Sequence, residues 1–327
     1  MTQIRSIAGT LLLDVRKFAE AHLNRRDIRK AVIAVPSYFN IAQRQGIIDA
    51  ARLAGLPEAR LVNETTAAAL AFAHDREGPK LVVVVDVSGG GGSVSVVKVD
   101  GGGVQVVRTC GKRLPGGDEF DIRMINYLWT AIREEHGKEV EDHRSMEILR
   151  STWEKAKQKL SRIPHVEIST FLPAIDKELK HTIPRSLFEA ECSDLFDSIL
   201  HEISRTLKNA MGSLPEGSCV DHVVLIGGSS RIPHLRAEID KLLPGKLHKA
   251  LSPDEAVARG AALLAAGAVR VDKEVVGLET HVTYGDTTFL CKDHMQVEEW
   301  HQPPVKPKEY FARYAMTQNR SPVEGQK

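Results

Sequence analysis

An aspartate followed by four consecutive glycines is the first feature that could do chemistry, in the stretch DVSGGGGSVSVV at residues 86–97. Backbone N–H groups at a glycine tip can converge on an anion, and carboxylate oxygen is a ligand that Mg²⁺ prefers. Gly89, Gly90 and Gly91 are therefore candidate phosphate contacts, and Asp86 is a candidate Mg²⁺ ligand acting through water. A flexible hairpin with a turn-capping aspartate is the alternative, because glycine also serves tight turns.

Strands must hold this glycine tip on both sides. The run LVVVVDV at 81–87 predicts a buried strand, and SVSVVKV at 93–99 alternates as a strand with one exposed face does. The DGGG turn at 100–103 leads into a third strand. A Rossmann fingerprint needs a helix directly after its glycines, so it is excluded here. The Gly-Lys pair at 111–112 does not belong to a P-loop, because Arg113 stands where that motif requires Ser or Thr.

A second glycine turn lies in VVLIGGSSRIP at 223–233, between a strand and the start of a helix. Backbone N–H groups and hydroxyls at a helix start favour an anion or a ribose. The planar guanidinium of Arg231 could stack on a base. The candidates in this turn are Gly228, Ser229, Ser230 and Arg231.

A third candidate segment is the helical run EKAKQKLS at 154–161. It places Glu154, Lys157 and Ser161 on one helical face. A solvated charged face is the alternative interpretation of these residues.

Strand-like and helix-like segments alternate through most of the chain. The remaining predicted strands are 31–39, 59–64, 165–171, 177–184 and 221–228. The predicted helices are 42–55, 65–74, 118–160, 185–211, one from about Ile232, and 252–267. Ser252 is expected to cap the last of these helices, with Pro253 at its first position. Helices 65–74 and 254–267 each carry a strip of small residues, so we expect them to pack side by side.

Composition narrows the class of protein. The chain has 327 residues, 42% of them hydrophobic and 27% charged, which suits about two globular domains. A net charge of +1 gives no basic field for nucleic acid, and no apolar run approaches the roughly 20 residues of a membrane span. We therefore expect neither a nucleic-acid nor a membrane partner.

The beginning of the chain does not resemble a secretory signal. Apolar residues recur there at helical spacing and predict an amphipathic helix with Ile7, Leu11, Val15 and Phe18 as its apolar face.

The four cysteines are widely spaced and predict reduced thiols and a cytoplasmic protein. Cys291, His294 and His301 could be imagined as a zinc cluster, but a fourth ligand at good spacing is lacking, so we interpret them as surface residues.

Together these segments resemble the nucleotide-binding domain of the seventy-kilodalton heat-shock protein family, the DnaK-type chaperones. The resemblance runs from about residue 10 to about residue 268 and is most specific in VPSYFNIAQRQGIIDAARLAGLPEARLVNETTAAALAF, VVLIGGSSRIP and SPDEAVARGAA. It implies an α/β chain with the actin-like ATPase fold of two lobes, and ATP or ADP with Mg²⁺ as ligands.

The resemblance also implies residue roles. Asp86 and Glu64 correspond to catalytic positions, with Asp86 holding Mg²⁺ through water, and Pro36 corresponds to a proline that links nucleotide state to signalling between domains. The implied nucleotide contacts are Gly89, Gly90, Gly91, Gly117, Glu154, Lys157, Ser161, Gly228, Ser229, Ser230, Arg231 and Asp254.

The same resemblance divides the chain into parts. Residues 1–78 correspond to a remnant of the first lobe, and 79–250 to the second lobe, with 116–193 as its upper subdomain. Residues 251–268 return to the first lobe, and 269–327 are expected to be a divergent, poorly ordered tail. The family's first phosphate hairpin, a further metal aspartate and its catalytic lysine have no counterpart here, nor does a substrate-binding domain, so we expect an N-terminally truncated form.

The glycine loop departs from the family pattern Asp-x-Gly-Gly-Gly-Thr-x-Asp at three positions. Ser88 stands at the first glycine, Gly91 at the threonine and Ser93 at the second aspartate. Gln158 stands where an arginine usually sandwiches the adenine against Arg231. We expect weakened phosphate and Mg²⁺ chemistry.

These departures predict a binding module that hydrolyses little or no ATP and engages nucleotide-exchange factors or J-domain co-chaperones. The alternatives are an active protein-folding chaperone ATPase and a non-functional gene fragment.

Overall fold

Helices and strands alternate along the computed structural model, which describes residues 2–74, 76–137, 142–248, 250–273, 275–276, 280–284, 287–291 and 295–296. The helices are α1 (Thr2–His22), α2 (Ile41–Leu53), α3 (Glu64–Ala73), α4 (Gly117–His136), α5 (His143–Leu160), α6 (Arg185–Glu191), α7 (Ser193–Met211), α8 (Pro233–Leu242) and α9 (Ala256–Ala265). The strands are β1 (Lys30–Val35), β2 (Glu58–Asn63), β3 (Lys80–Val87), β4 (Gly92–Asp100), β5 (Gly103–Thr109), β6 (His165–Leu172), β7 (Lys177–Pro184), β8 (His222–Ile226), β9 (Arg270–Lys273), β10 (Val275–Val276), β11 (Thr280–Tyr284), β12 (Thr287–Cys291) and β13 (Met295–Gln296). A 3-10 turn, η1, spans Gly228–Arg231.

The central sheet has the strand order β8-β3-β4-β5-β9. Strands β3, β4 and β5 are antiparallel neighbours, whereas β8 and β9 join the two edges as parallel strands. Val83 and Val85 face the larger hydrophobic core, and Val82 and Val84 face a second one. Both faces of the sheet are therefore buried under other elements, which confirms the predicted α/β class.

Strand β4 is buried on both faces along most of its length, so the prediction of one exposed face is wrong. Ser93 and Ser95 are the polar residues of the alternation, and both are buried. The Ser95 hydroxyl lies 2.7 Å from the Thr65 hydroxyl on α3 and donates to Thr109 Oγ1 at 2.9 Å. The alternation of serine and valine in β4 therefore does not mark a face exposed to water, because the Ser95 hydroxyl forms its hydrogen bonds with neighbouring side chains.

The first helix, α1, packs on α2 through a face other than the predicted one. Ile7, Leu11, Val15 and Phe18 are 63–76% exposed. Leu12 and Leu13 pack against the small core under α2 instead. The run of leucines at 11–13 offers two apolar faces at helical spacing, and periodicity alone cannot choose between them.

Two element boundaries differ from the predictions. The helix predicted over 185–211 is interrupted at Cys192, which separates α6 from α7. The helix predicted from residue 252 begins at Ala256, and Ser252 acts through its backbone carbonyl, which accepts from Glu255 and Ala256, instead of through its side chain.

The sequence did not indicate strand β9, which lies beyond residue 268 and pairs with β5. Residues 297–327, most of the predicted tail, lie outside the described residues. The cluster of Cys291, His294 and His301 also lies outside the residues whose side chains are described. Across the described chain, no helix combines the length and apolar character needed to cross a membrane.

The predicted side-by-side packing of α3 and α9 is confirmed. Ala67 is fully buried on α3, and Gly260 on α9 lies so close that a Cβ atom there would overlap the Ala67 carbonyl. Both helices contribute to the second core, under the valines of the central sheet. The absence of a side chain at Gly260 therefore sets the distance between the helices.

We expect Gly260→Ala to destabilise the protein by about 1–3 kcal/mol, because a methyl group would be forced against backbone atoms. The matched control is Gly46→Ala in α2, where a Cβ atom would meet nothing within 4 Å. Gly46→Ala should stabilise by about 0.5–1 kcal/mol through helix propensity. Urea unfolding of both variants measures the difference, and equal changes would contradict the close approach.

Candidate functional site

The glycine tip between β3 and β4 is held by the beginning of α4. The backbone N–H groups of Gly117 and Asp118 donate to the carbonyls of Ser88 and Gly89, each at 2.9 Å. All described peptide bonds are trans, so the N–H groups of Gly89 and Gly90 point away from α4. Both glycines are exposed, and the tip thus presents backbone donors to a ligand.

Four of the predicted site residues meet around Gly117. A Cβ atom at Gly117 would lie 3.0 Å from Ser229 Oγ, 3.2 Å from Lys157 Nζ and 3.3 Å from Gly89 Cα. The two glycine turns, the start of α4 and the charged face of α5 therefore converge, although they are far apart in sequence. A side chain at this position would crowd the space that the three groups share.

The second glycine turn is η1, and its serines have internal partners. Ser230 is fully buried and donates to the Gly227 carbonyl at 2.7 Å, so it shapes the turn. Ser229 Oγ faces the first glycine tip, at 3.5 Å from the Ser88 carbonyl. A Cβ atom at Gly228 would meet nothing within 4 Å, which leaves its backbone open to close approach.

A cavity of about 470 Å³ adjoins this turn and is lined by Ser161, Arg231, Pro233 and Arg236. Ser161 is the C-cap residue of α5, and it lines this cavity together with Arg231. Pro233 and Arg236 were missed from the sequence. Their i, i+3 spacing at the start of α8, directly after Arg231, is a signal that could have indicated them.

Asp254 fixes the plane of the Arg231 guanidinium. Two hydrogen bonds of 2.8 and 2.6 Å join Arg231 Nη1 and Nη2 to the two carboxylate oxygens of Asp254. A guanidinium held in this bidentate way presents a flat face for stacking.

Lys157 is paired with Asp121 on α4, a residue that the sequence analysis did not single out. Lys157 Nζ donates to Asp121 Oδ2 at 2.7 Å and to the Gly117 carbonyl at 3.2 Å. Burial raises the pKa of the Asp121 carboxyl, while Lys157 opposes that shift. Glu154 lies one turn earlier on α5, is exposed, and adds its negative charge near Asp121. The i, i+4 spacing of Gly117 and Asp121 could have indicated this pair.

Asp86 and Glu64 are neighbouring carboxyl groups, the first buried and the second half-buried. Burial raises the pKa of Asp86 to about 7, the charge of Glu64 adds to that shift, and burial also raises the pKa of Glu64. Ser88 Oγ donates to Asp86 Oδ1 at 2.7 Å. Ser93, the cross-strand partner of Asp86, is fully buried, and its hydroxyl has no hydrogen-bond partner in the described part of the chain.

These two carboxyls fit Mg²⁺ only as a water-bridged ion. Among the described residues, no group of three or more carboxylate, histidine or cysteine side chains could hold a metal directly. The nucleotide fits better, because the glycine tip, Lys157 and the Arg231 cavity supply donors for phosphate, sugar and base.

We expect Asp86→Asn to change how stability depends on pH. The pKa of Asp86 in the folded state is raised from 3.8 to about 7, so the wild-type protein loses stability as pH rises from about 4 through about 7. Because asparagine does not titrate, the free energy of unfolding of the variant should increase by roughly 2 kcal/mol relative to that of the wild type between pH 5 and pH 8. Urea unfolding at both values measures this, with the exposed Asp197→Asn as control; a parallel pH dependence of Asp86→Asn and wild type would contradict it.

Comparison with known families places the chain. The family model described as Hsp70 protein matches residues 2–290 of 327, a wider span than the 10–268 that the motifs indicated. The mixed sheet with helices on its faces is consistent with the actin-like ATPase fold. The chain therefore belongs to the Hsp70 protein family and carries the α/β architecture of that family's nucleotide-binding domain.

Proposed function

We propose that this chain is an adenine-nucleotide-binding module of the chaperone system, with little or no ATP hydrolysis. The observation that carries the proposal is the convergence of Gly89, Lys157 and Ser229 around Gly117. This cluster joins a backbone anion cradle to the cavity beside Arg231. The cradle suits a phosphate chain and the cavity suits a flat base. Nucleotides are the ligand class that carries both groups.

Each part of the ligand has residues suited to it. The N–H groups of Gly89 and Gly90 would bind phosphate oxygens, and Gly91 completes the same loop. Lys157 and Glu154 would contact the sugar side. Ser161 and the flat face of Arg231 would hold the base, with Asp254 keeping the guanidinium in plane.

Weak or absent hydrolysis is supported by the raised pKa of the buried Asp86 carboxyl. A carboxyl with a pKa of about 7 is half protonated at neutral pH, so Asp86 is a weaker partner for Mg²⁺ than a free carboxylate. Mg²⁺, when bound, would neutralise charge on the phosphates. Gly91 lacks the hydroxyl of the threonine in the family pattern, and Ser93 lacks the carboxylate of the second aspartate. An active ATPase remains the second candidate, because Asp86 and Glu64 are still adjacent.

Membership of the family also supports a proposal about partners and compartment. We propose nucleotide-exchange factors or J-domain co-chaperones as protein partners. We also propose the cytoplasm as compartment, where the free thiols of Cys110 and Cys192 would stay reduced.

We expect ADP to bind more weakly than to an intact family member, in a manner that depends on Arg231 and Lys157. Arg231→Ala and Lys157→Gln should each lower the affinity about tenfold or more, since each removes a charge-assisted contact. Isothermal titration with ADP measures this effect.

The matched control is Arg123→Ala. Arg123 also makes a bidentate pair, with Asp194 at 2.8 Å for both bonds, but it lies on the surface between α4 and α7. Affinity that falls equally in Arg123→Ala and Arg231→Ala would show that the loss is not local to the cavity.

We expect phosphate release from ATP to stay at background. A missing preorganised donor typically costs about 10²–10³ in rate, and the threonine hydroxyl is such a donor that Gly91 lacks. Ser93 in addition removes the negative charge of a carboxylate. Steady-state phosphate release by the purified monomer tests this, with Asp86→Asn as control. Turnover that Asp86→Asn abolishes would establish the active ATPase instead.

A further inference from the structure

We propose that Arg113 binds the terminal phosphate of the nucleotide and makes the site prefer a triphosphate to a diphosphate. This inference rests on the proposed nucleotide function and adds a residue that the family pattern does not supply. Arg113 lies in the loop between β5 and α4, beside the first glycine tip.

The guanidinium of Arg113 is bonded to the tip itself. Its Nε donates to the Gly90 carbonyl at 2.6 Å, and its Nη1 forms an ion pair with Glu119 Oε1 at 2.6 Å. Lys157 and Arg231 are also paired with carboxylates, and Lys157 donates to the Gly117 carbonyl at the start of α4. Arg113 differs from both in that its guanidinium bonds directly to a carbonyl of the glycine tip that would surround the phosphates.

Arg113 also lies close in the chain's fold to the strand that carries Asp86. Asp86 stands near the end of β3, and the tip residue Gly90, whose carbonyl accepts from Arg113, follows on the same turn. Burial raises the pKa of the Tyr38 hydroxyl most strongly, and the positive charge of Arg113 opposes that shift. A phosphate chain bound at the tip would bring its negative charge next to this cation.

Gly91 and Arg113 are adapted to each other. A Cβ atom at Gly91 would lie 2.6 Å from Arg113 Nε and 2.8 Å from its Cγ, and the φ angle of 145° is one that residues with side chains rarely adopt. The stem of Arg113 therefore occupies the space that a threonine at position 91 would use. We interpret Arg113 as taking the place of the threonine hydroxyl, so that a cation stands where the family pattern has a neutral donor.

The present partners of Arg113 are ones that a phosphate could replace. Arg113 and Glu119 are 44% and 29% exposed, and Glu119 also accepts from the Gly116 backbone N–H at 2.8 Å. Glu119 therefore keeps a partner when the guanidinium turns to a phosphate. Arginine binds phosphate through two parallel N–H donors, which makes the exchange favourable.

The test is isothermal titration of ATP, ADP and inorganic tripolyphosphate into the full chain and into Arg113→Ala. We expect affinity for ATP and tripolyphosphate to fall about 10- to 100-fold and affinity for ADP by less than about threefold. Arg113→Lys should recover part of the loss. Arg123→Ala, which removes an arginine of similar exposure, should leave all three affinities unchanged.

A second variant keeps the charge but displaces it. Gly91→Thr should push Arg113 off the tip and abolish the preference for ATP over ADP, and thermal unfolding checks that both variants are folded. Equal losses for ATP and ADP, or no loss, would overturn the inference while leaving the proposed function intact. Binding of tripolyphosphate that requires Arg113, without any binding of ADP or ATP, would refute the nucleotide function and leave the anion site standing. Absence of binding by all three ligands would refute both.

Discussion

The hydrogen bonds between the start of α4 and the first glycine tip are the constraint on which the site depends. Two helix N–H groups hold the carbonyls of Ser88 and Gly89, so the tip keeps one orientation without a ligand. The same contact needs glycine at position 116, because a Cβ atom there would overlap the backbone of the tip. Preorganised donors of this kind lose little freedom on binding, which is how a backbone loop becomes an anion site.

The three cations around the tip each have a carboxylate partner inside the protein. Lys157 is paired with Asp121, Arg231 with Asp254, and Arg113 with Glu119. These pairs keep the cations in place and reduce the cost of burying them. A ligand must therefore replace or share these existing bonds. How deeply each pair is buried decides which cation can turn toward the ligand. The Lys157 pair is the most buried, so it is best suited to fixing geometry.

Packing between distant segments brings the site together. The small residues of α3 and α9 let these helices approach closely beneath the central sheet, with Gly260 against Ala67. The same α3 begins with Glu64, so this packing also delivers the carboxyl that faces Asp86. Helix α3 therefore serves both the site and the core, because its first residue, Glu64, belongs to the site and the alanines that follow pack in the core.

The sequence by itself determined the order and type of most elements and the positions of the glycine turns. The valine run of β3, the glycine tip and the small-residue strips of α3 and α9 are local patterns, and local patterns follow from backbone geometry. Tertiary structure alone decided which face of α1 packs, because Leu11–Leu13 satisfy two helical faces equally. It also decided that β4 is buried on both sides, through hydroxyl pairs between α3, β4 and β5. Spacing along a helix could have indicated Asp121 and Arg236, but not the contact of Arg113 with the glycine tip, because that contact joins two loops that lie 23 residues apart in the chain.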